Sequence, residues 1–358
     1  MMCSRNILKV IINFLLIFSV VLFVSAGSEK VSDLGNTDDA GKLLEGGNIA
    51  KKNKVVENGK REKKTRVVPV GTKIMDQVAA EIGPQTEEET QAIEKTIVKV
   101  TESMLLNNDI LAYYGHPNSK NMGILGRLSK EDLLARLTLQ AEVYKAESGG
   151  KDIIKAFYII YGTCWPGGDI GIISDSKLRE YIDFALANNM LVFLDHQIGK
   201  FDPVDSLKKM LPYLKEYPNV HLGLDPEWRT TKPMEEIGSV SGEEINNAQK
   251  AMEDYMIENK IEGERLLVIH QFNNKMITGR KSVKADFENV RPVLCMDGHG
   301  SPELKRGTYA YNAEAKNIPI KAFKLFYDEP GNTGVDVPIL SPKEVYELDP
   351  RPTIIMYQ

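Results

Sequence analysis

The run Leu224-Asp225-Pro226-Glu227-Trp228-Arg229 places two carboxylates two positions apart. On a β-strand, residues spaced by two share a face, so Asp225 and Glu227 can point the same way. Two neighbouring carboxylates oppose each other's ionisation, and one holds its proton toward neutral pH. That is the state a general acid needs. Pro226 has no N–H to give to a strand ladder and marks the strand's end. Trp228 offers an apolar wall or a flat face on which a sugar ring can stack. The plainer reading of Glu227 is an ion pair with Arg229 or Lys232.

Other polar residues recur at the ends of apolar runs. They are Tyr114-Gly115-His116, Cys164-Trp165, Asp195-His196-Gln197, His270-Gln271, Asp297-Gly298-His299 and Tyr327-Asp328. Four of the five histidines fall in these endings, His221 being the exception. Glu227 is therefore read as acid, with Asp225 or Asp297 as base, nucleophile or electrostatic stabiliser. Tyr114, His116, Trp165, Asp195 and His196 are read as substrate-binding. So are Trp228, His270, Gln271, His299 and Asp328. Both tryptophans and several tyrosines lie at or just past these endings, which suits a carbohydrate. Asp195, His196, Asp225, His270, Asp297 and His299 are also of metal-ligand type. No HxH or HExxH spacing is present, so no metal ligand is assigned and no cofactor is called for. There is no GxSxG elbow for a serine nucleophile.

The elements that carry these endings alternate. Eight apolar runs suited to strands are Ile110–Tyr114, Ile153–Tyr161, Leu191–Asp195, Val220–Asp225, Leu266–Gln271, Val290–Asp297, Phe323–Asp328 and Thr353–Gln358. Several are apolar on both faces, as strands of a doubly covered parallel sheet are. Helical patterns lie between them. Ser129 precedes Leu133, Leu137, Ala141 and Tyr144. Ser174 or Asp175 opens a helix carrying Leu178, Ile182 and Ala185. Asp202-Pro203 opens a helix carrying Val204, Leu207, Leu211 and Leu214. Ser241 and Glu244 form a capping box. Residues 303–316 and 342–348 are shorter helix candidates, and the link between strands five and six reads as loop. Eight βα units over about 250 residues predict an α/β fold, a (β/α)8 TIM barrel. Its chemistry belongs at the C-terminal ends of the strands, where the polar endings lie. The sequence stops at strand eight, so the barrel lacks its eighth helix. A leading helix over residues 86–105, opened by Thr86 and Glu89, is expected to pack in that place.

The chain has 358 residues, 42% of them hydrophobic, and a net charge of −5, which gives no support to nucleic-acid binding. Arg5 and Lys9, the apolar run Val10–Val24 and the small residues Ser25-Ala26 form a signal-peptide pattern over residues 1–26. An uncleaved anchor is the alternative. Secretion or another extracytoplasmic location follows in either case. Residues 27–85 are low in complexity, polar and basic, and read as a largely disordered linker. Within it, residues 51–66 carry eight basic and two acidic side chains. These read as a solvated linker, or as a tether touching an anionic wall or lipid surface. Residues 86–358 make the barrel domain. Cys164 and Cys295 fall on opposite strands and are expected as free thiols.

The strings Tyr114-Gly115-His116-Pro117, Met122-Gly123-Ile124-Leu125-Gly126, Leu224-Asp225-Pro226-Glu227-Trp228, His270-Gln271-Phe272 and Met296-Asp297-Gly298 resemble those of a family of exported bacterial proteins. That family has a glycoside-hydrolase-like TIM barrel, and the resemblance covers residues 110–358. Asp225-Pro226-Glu227 is also similar to the last two acids of the DxxDxDxE run in chitinase-like glycoside hydrolases. Val220 and Gly223 stand at the earlier aspartate places, so that likeness is partial. It implies Glu227 as acid and Asp225 as its partner. The reading that results is a secreted glycoside-hydrolase-like enzyme acting on a cell-wall or environmental polysaccharide. A metal-dependent hydrolase using the Asp/His ring and a non-catalytic glycan-binding barrel stand as alternatives.

Overall fold

The computed structural model describes residues 103–329 and 334–358, all within the second of two units into which the chain divides, Val98–Gln358. The expected signal peptide, the expected linker and residues 86–102 of the expected leading helix lie outside the described residues.

Eight parallel strands close into a barrel. They are β1 (Asn108–Gly115), β2 (Asp152–Cys164), β4 (Leu191–Gln197), β5 (Val220–Asp225), β7 (Arg265–His270), β9 (Val290–Met296), β10 (Ile320–Leu325) and β11 (Ile354–Tyr357). Each pairs with the next, and β11 pairs back onto β1 with Ile110 opposite Ile354 and Tyr113 opposite Tyr357. The short β3 (Ile170–Ile172) folds back antiparallel on the end of β2. β6 (Val240–Ser241) and β8 (Ile277–Thr278) form a separate parallel pair.

Alternation along each strand sorts side chains into two cores. Ile110, Ala112, Tyr158, Phe193, Val268 and Met356 are among those that fill the barrel. Leu111, Phe157, Leu194, Leu222, Ile269 and Phe323 are among those that face the helix layer. Each large apolar side chain buried this way contributes about 1.5–3 kcal/mol. The helices are α1 (Lys130–Glu147), α2 (Asp175–Ala187), α3 (Pro203–Lys208), α4 (Leu211–Glu216), α5 (Gly242–Glu258), α6 (Pro302–Ala313) and α7 (Pro342–Tyr346). Ser129, Ser174, Asp202 and Ser241 cap their helices through side-chain oxygens, and Ser241 with Glu244 completes a capping box.

Three sequence expectations change. The helix expected over residues 203–214 is two, α3 and α4. Pro212, in the first turn of α4, has no N–H to bond the carbonyl four residues back, so one continuous helix cannot form. The seventh strand lies three residues earlier than read, at Ile320–Leu325, so Tyr327 and Asp328 fall beyond it. Its neighbour β9 fixes that register, pairing Val293 with Ile320 and Met296 with Phe323.

The third concerns residues 103–105, read as the end of the leading helix, whose remainder lies outside the described residues. The outer face of β11 is covered where α1 and α7 meet. Tyr144 of α1 lies edge-on to Tyr346 of α7 and to Tyr357 of β11, and its hydroxyl is 2.7 Å from that of Tyr357. At the other end of the barrel, Ser103 to Leu106 form a turn rather than a helix end. Leu105 is buried with the interior set, and Glu264 accepts hydrogen bonds from Ser103 Oγ and Met104 N at 2.8 and 2.9 Å. These residues close the N-terminal end of the barrel.

Candidate active site

A cavity of about 610 Å³ opens at the C-terminal ends of the strands. Its walls include Tyr114, Gln197, Asp225, Glu227, Asp297 and Lys324. All but Glu227 are buried. Directly beneath, strand alternation turns Tyr158, Asp195 and His270 inward, each fully buried.

Asp225 is the last residue of β5 and its carboxylate accepts from the N–H of Glu227 at 3.2 Å. Pro226–Trp228 form a 3-10 turn. Both acids therefore reach the cavity, but through a capped turn rather than by alternation along one strand. Arg229 bonds Glu244 at 2.7 Å and Lys232 bonds Glu236 at 2.9 Å. The ion pair that would have neutralised Glu227 is thus not made.

His270 links the acids. Its Nδ1 lies 3.0 Å from Asp297 Oδ2 and its Nε2 lies 2.9 Å from the Tyr158 hydroxyl, with Asp195 Oδ1 at 3.6 Å. Tyr114 donates to Asp195 Oδ2 at 2.9 Å, and the Lys324 ammonium sits 3.5 Å from the centre of the Tyr114 ring. Asp195 Oδ1 and Asp297 Oδ1 are, among the described residues, the buried carboxylate oxygens with no hydrogen-bond partner.

The electrostatics follow from this crowding. Burial alone would depress His270, but Asp195, Asp297 and Asp225 outweigh it and raise it to about 9. His270 is thus an imidazolium at neutral pH, with both N–H groups engaged. Burial pushes Asp225 well above the ordinary carboxylate range; His270 opposes this, and Asp297, Glu227 and Asp195 add to it. Burial, then the charge of Asp297, brings Glu227 up to about 7 against the pull of Lys324 and His270. The site thus holds a carboxylic acid poised at neutral pH beside a second carboxylate with a bare oxygen.

Gly223 makes room for this arrangement. A Cβ there would lie 2.3 Å from the Tyr158 hydroxyl and 3.0 Å from Asp195 Oδ1. Without it, Tyr158 can stand upright against Phe193, ring centres 5.1 Å apart, and reach His270.

Of the residues singled out from sequence, the structure brings Tyr114, Asp195, Asp225, Glu227, His270 and Asp297 together, with Trp228 and His299 on the cavity wall. The others lie elsewhere. His196 alternates outward and is buried against Tyr161, its Nδ1 on the Gln197 carbonyl; burial lowers it to about 4. Gln271 is buried outside the cavity and receives Arg280 at 3.0 Å. His116 accepts from Asn118 N in an outer turn. Trp165 is 56% exposed and packs over Gly171. Asp328 is exposed beyond the end of the seventh strand. Two tyrosines read as mouth aromatics also face outward. Tyr161 bonds the Lys209 carbonyl, and Tyr327 stacks on Tyr357. Cys164 and Cys295 are buried free thiols.

Sequence reading missed Lys324, Tyr158 and Gln197. Lys324 had a signal, a cation within a doubly covered strand that carries two, Lys321 and Lys324. Tyr158 had none, since a tyrosine in an apolar run looks like core.

Asp225, His270 and Asp297 also offer ligand atoms within 4.8 Å of one another, the one such metal-type group found among the described residues. A cation there would have to take a His270 ring nitrogen that now meets Asp297 or the Tyr158 hydroxyl. The donor set as it stands fits a proton network better than a metal.

No protein-family model and no curated protein matches the chain. Solved structures with a similar course of chain include a family 18 chitinase from Crocus vernus, at 11% identity over 70% of this chain and 92% of that one, with a TM-score of 0.40. Thermotoga maritima Cel5A in complex with mannotriose matches at 12% identity over 69% and 89%, with a TM-score of 0.39. A chitinase from Chromobacterium violaceum matches at 10% over 61% and 68%, with a TM-score of 0.34. These are distant likenesses, and the chemistry has to be argued from the residues themselves.

Proposed function

We propose that this protein is an exported glycoside hydrolase that cleaves a wall or environmental polysaccharide by carboxylate catalysis. One observation carries the reading. Glu227, with no cation paired to it among the described residues, is raised to about 7 on the wall of a cavity that Asp297 also lines. Glu227 protonates the glycosidic oxygen as the bond to the anomeric carbon breaks. Asp297, one oxygen held by His270, meets the positive charge that develops on the sugar ring and activates or precedes the incoming water. Asp225, pushed well above the ordinary carboxylate range by burial, holds the turn that carries Glu227. The N-terminal signal pattern supports export, and the basic segment at residues 51–66 supports contact with an anionic wall.

Product release from a panel of wall and environmental polysaccharides tests the reading. Glu227→Gln is expected to lower hydrolysis by about 10²–10⁴-fold. Full activity in that variant excludes Glu227 as the acid. A metal-dependent hydrolase is the second reading, favoured by the closeness of Asp225, His270 and Asp297. Stoichiometric metal in protein purified without added metal, with activity lost on chelation and regained on return of the ion, selects it instead. Saccharide binding without product from any substrate selects a glycan-binding barrel.

A further inference from the structure

A second hollow, of about 660 Å³, lies between the turn after β7 and one side of α6. It shares Phe272, Leu304 and Thr308 with the catalytic cavity, so the two adjoin along a common wall. From α6 it is lined by Glu303, Leu304, Gly307, Thr308 and Tyr311. Their spacing of three and four makes a single stripe along the helix.

Two features of that stripe are not what a solvated helix face requires. Leu304 is left 59% exposed. Gly307 stands inside α6, where glycine weakens a helix relative to alanine. Yet a Cβ at Gly307 would meet nothing within 4 Å, so packing does not demand the glycine. What the missing side chain does is keep the floor of the groove open. At the far end, the Arg280 guanidinium backs the Tyr311 ring at 4.1 Å. Arg280 is itself bonded to Gln271 Oε1 and the Tyr311 carbonyl, both at 3.0 Å, so the aromatic is held in place. Asn273 and Asn274 form the opposite wall.

We propose that this groove is a second binding subsite, occupied by the continuation of the saccharide chain whose scissile bond lies in the cavity. The protein then recognises linear oligosaccharides rather than single units. The occupant follows from the shared wall and from the chemistry: Leu304 and Tyr311 suit the apolar faces of sugar rings, and Asn273, Asn274, Glu303 and Thr308 suit their hydroxyls. The proposal rests on the glycosidic reading of the cavity.

The test measures binding and hydrolysis of cello- and chito-oligosaccharides, dimers through hexamers, by calorimetry and product analysis. The wild type is expected to bind the hexamer about tenfold more tightly than the dimer. Gly307→Trp fills the groove and is expected to bring that ratio near one, with a thermal melt showing the fold retained. Should that variant fail to fold, Tyr311→Ala on an open part of the groove gives the same readout, a fall in the ratio. An unchanged hexamer preference in the folded variants, or no preference in the wild type, overturns the subsite. Length-dependent binding without product removes the catalytic reading and leaves the groove standing. Product without length dependence does the reverse.

Discussion

At the N-terminal end of the barrel Asp109 is fully buried, with Lys151 3.3 Å from one oxygen and Arg351 donating to the other. Glu264, nearby, accepts from Ser103 and Met104 and pairs with Arg291 at 3.4 Å. At the C-terminal end, Asp195 and Asp297 each keep a bare buried oxygen, and Asp225 and Glu227 sit above the usual carboxylate range. The same residue types are thus partnered at one end and left in mutual conflict at the other. A buried acid whose oxygens are all bonded serves the fold. One left wanting a partner stores a cost that only a ligand or a proton can relieve. The difference separates the end that holds the barrel together from the end where the proposed chemistry is placed.

Paired substitutions test that division most severely. Glu227→Gln should cost about 10²–10⁴-fold in turnover without loss of stability. Asp109→Ala should do the opposite. It should lower unfolding free energy by about 2–3 kcal/mol, because Lys151 and Arg351 are partly exposed and water recovers part of the loss. Turnover per folded molecule should be unchanged. Thermal melts and kcat on the same preparations decide; a catalytic defect in Asp109→Ala would erase the contrast.

The pH dependence sharpens it. Glu227 acts as an acid only while protonated, so hydrolysis should fall as pH rises through about 7. Its folded-state value lies above the unfolded one. Native protein therefore holds the proton longer, and stability is lost as pH rises between the two values. Glu227→Gln removes that loss. The variant should match the wild type near pH 4 and exceed it by about 3 kcal/mol well above pH 7. Melting curves across that range would show the gap widening, and a constant gap would contradict it. The smallest effect concerns Tyr158→Phe, which takes one hydrogen bond from the imidazolium. His270 should titrate below 9, with a stability loss of about 1 kcal/mol, followed by NMR of the ring protons.

How much of this could be read from the chain depends on which physical signal each part leaves. The eight strands were legible because both faces of a barrel strand are buried and the runs are apolar throughout. The site's acids were legible because a carboxylate at the end of such a run has no structural reason to be there. Asp195 and His196 show the limit. Adjacent residues on a strand face opposite ways, and register decides which enters the barrel. That register comes from the pairing with β2 and β5, which no local pattern records. Lys324 was hidden by a three-residue error in the seventh strand. The turn at Pro226–Trp228 was hidden because Asp225 caps it through a side chain that could equally have served a strand.

Gly223 has a practical consequence for anyone who surveys this protein by mutation. To a stability screen, position 223 is an interior glycine like any other, and a replacement there would be scored as a packing defect. The first atom displaced, however, is the hydroxyl of Tyr158, and through it the ring that orders Asp297. Substitutions at this position would report on reactivity while being recorded as damage to the scaffold. Assays that sort variants by abundance alone would therefore draw the border of the candidate site one residue layer too shallow.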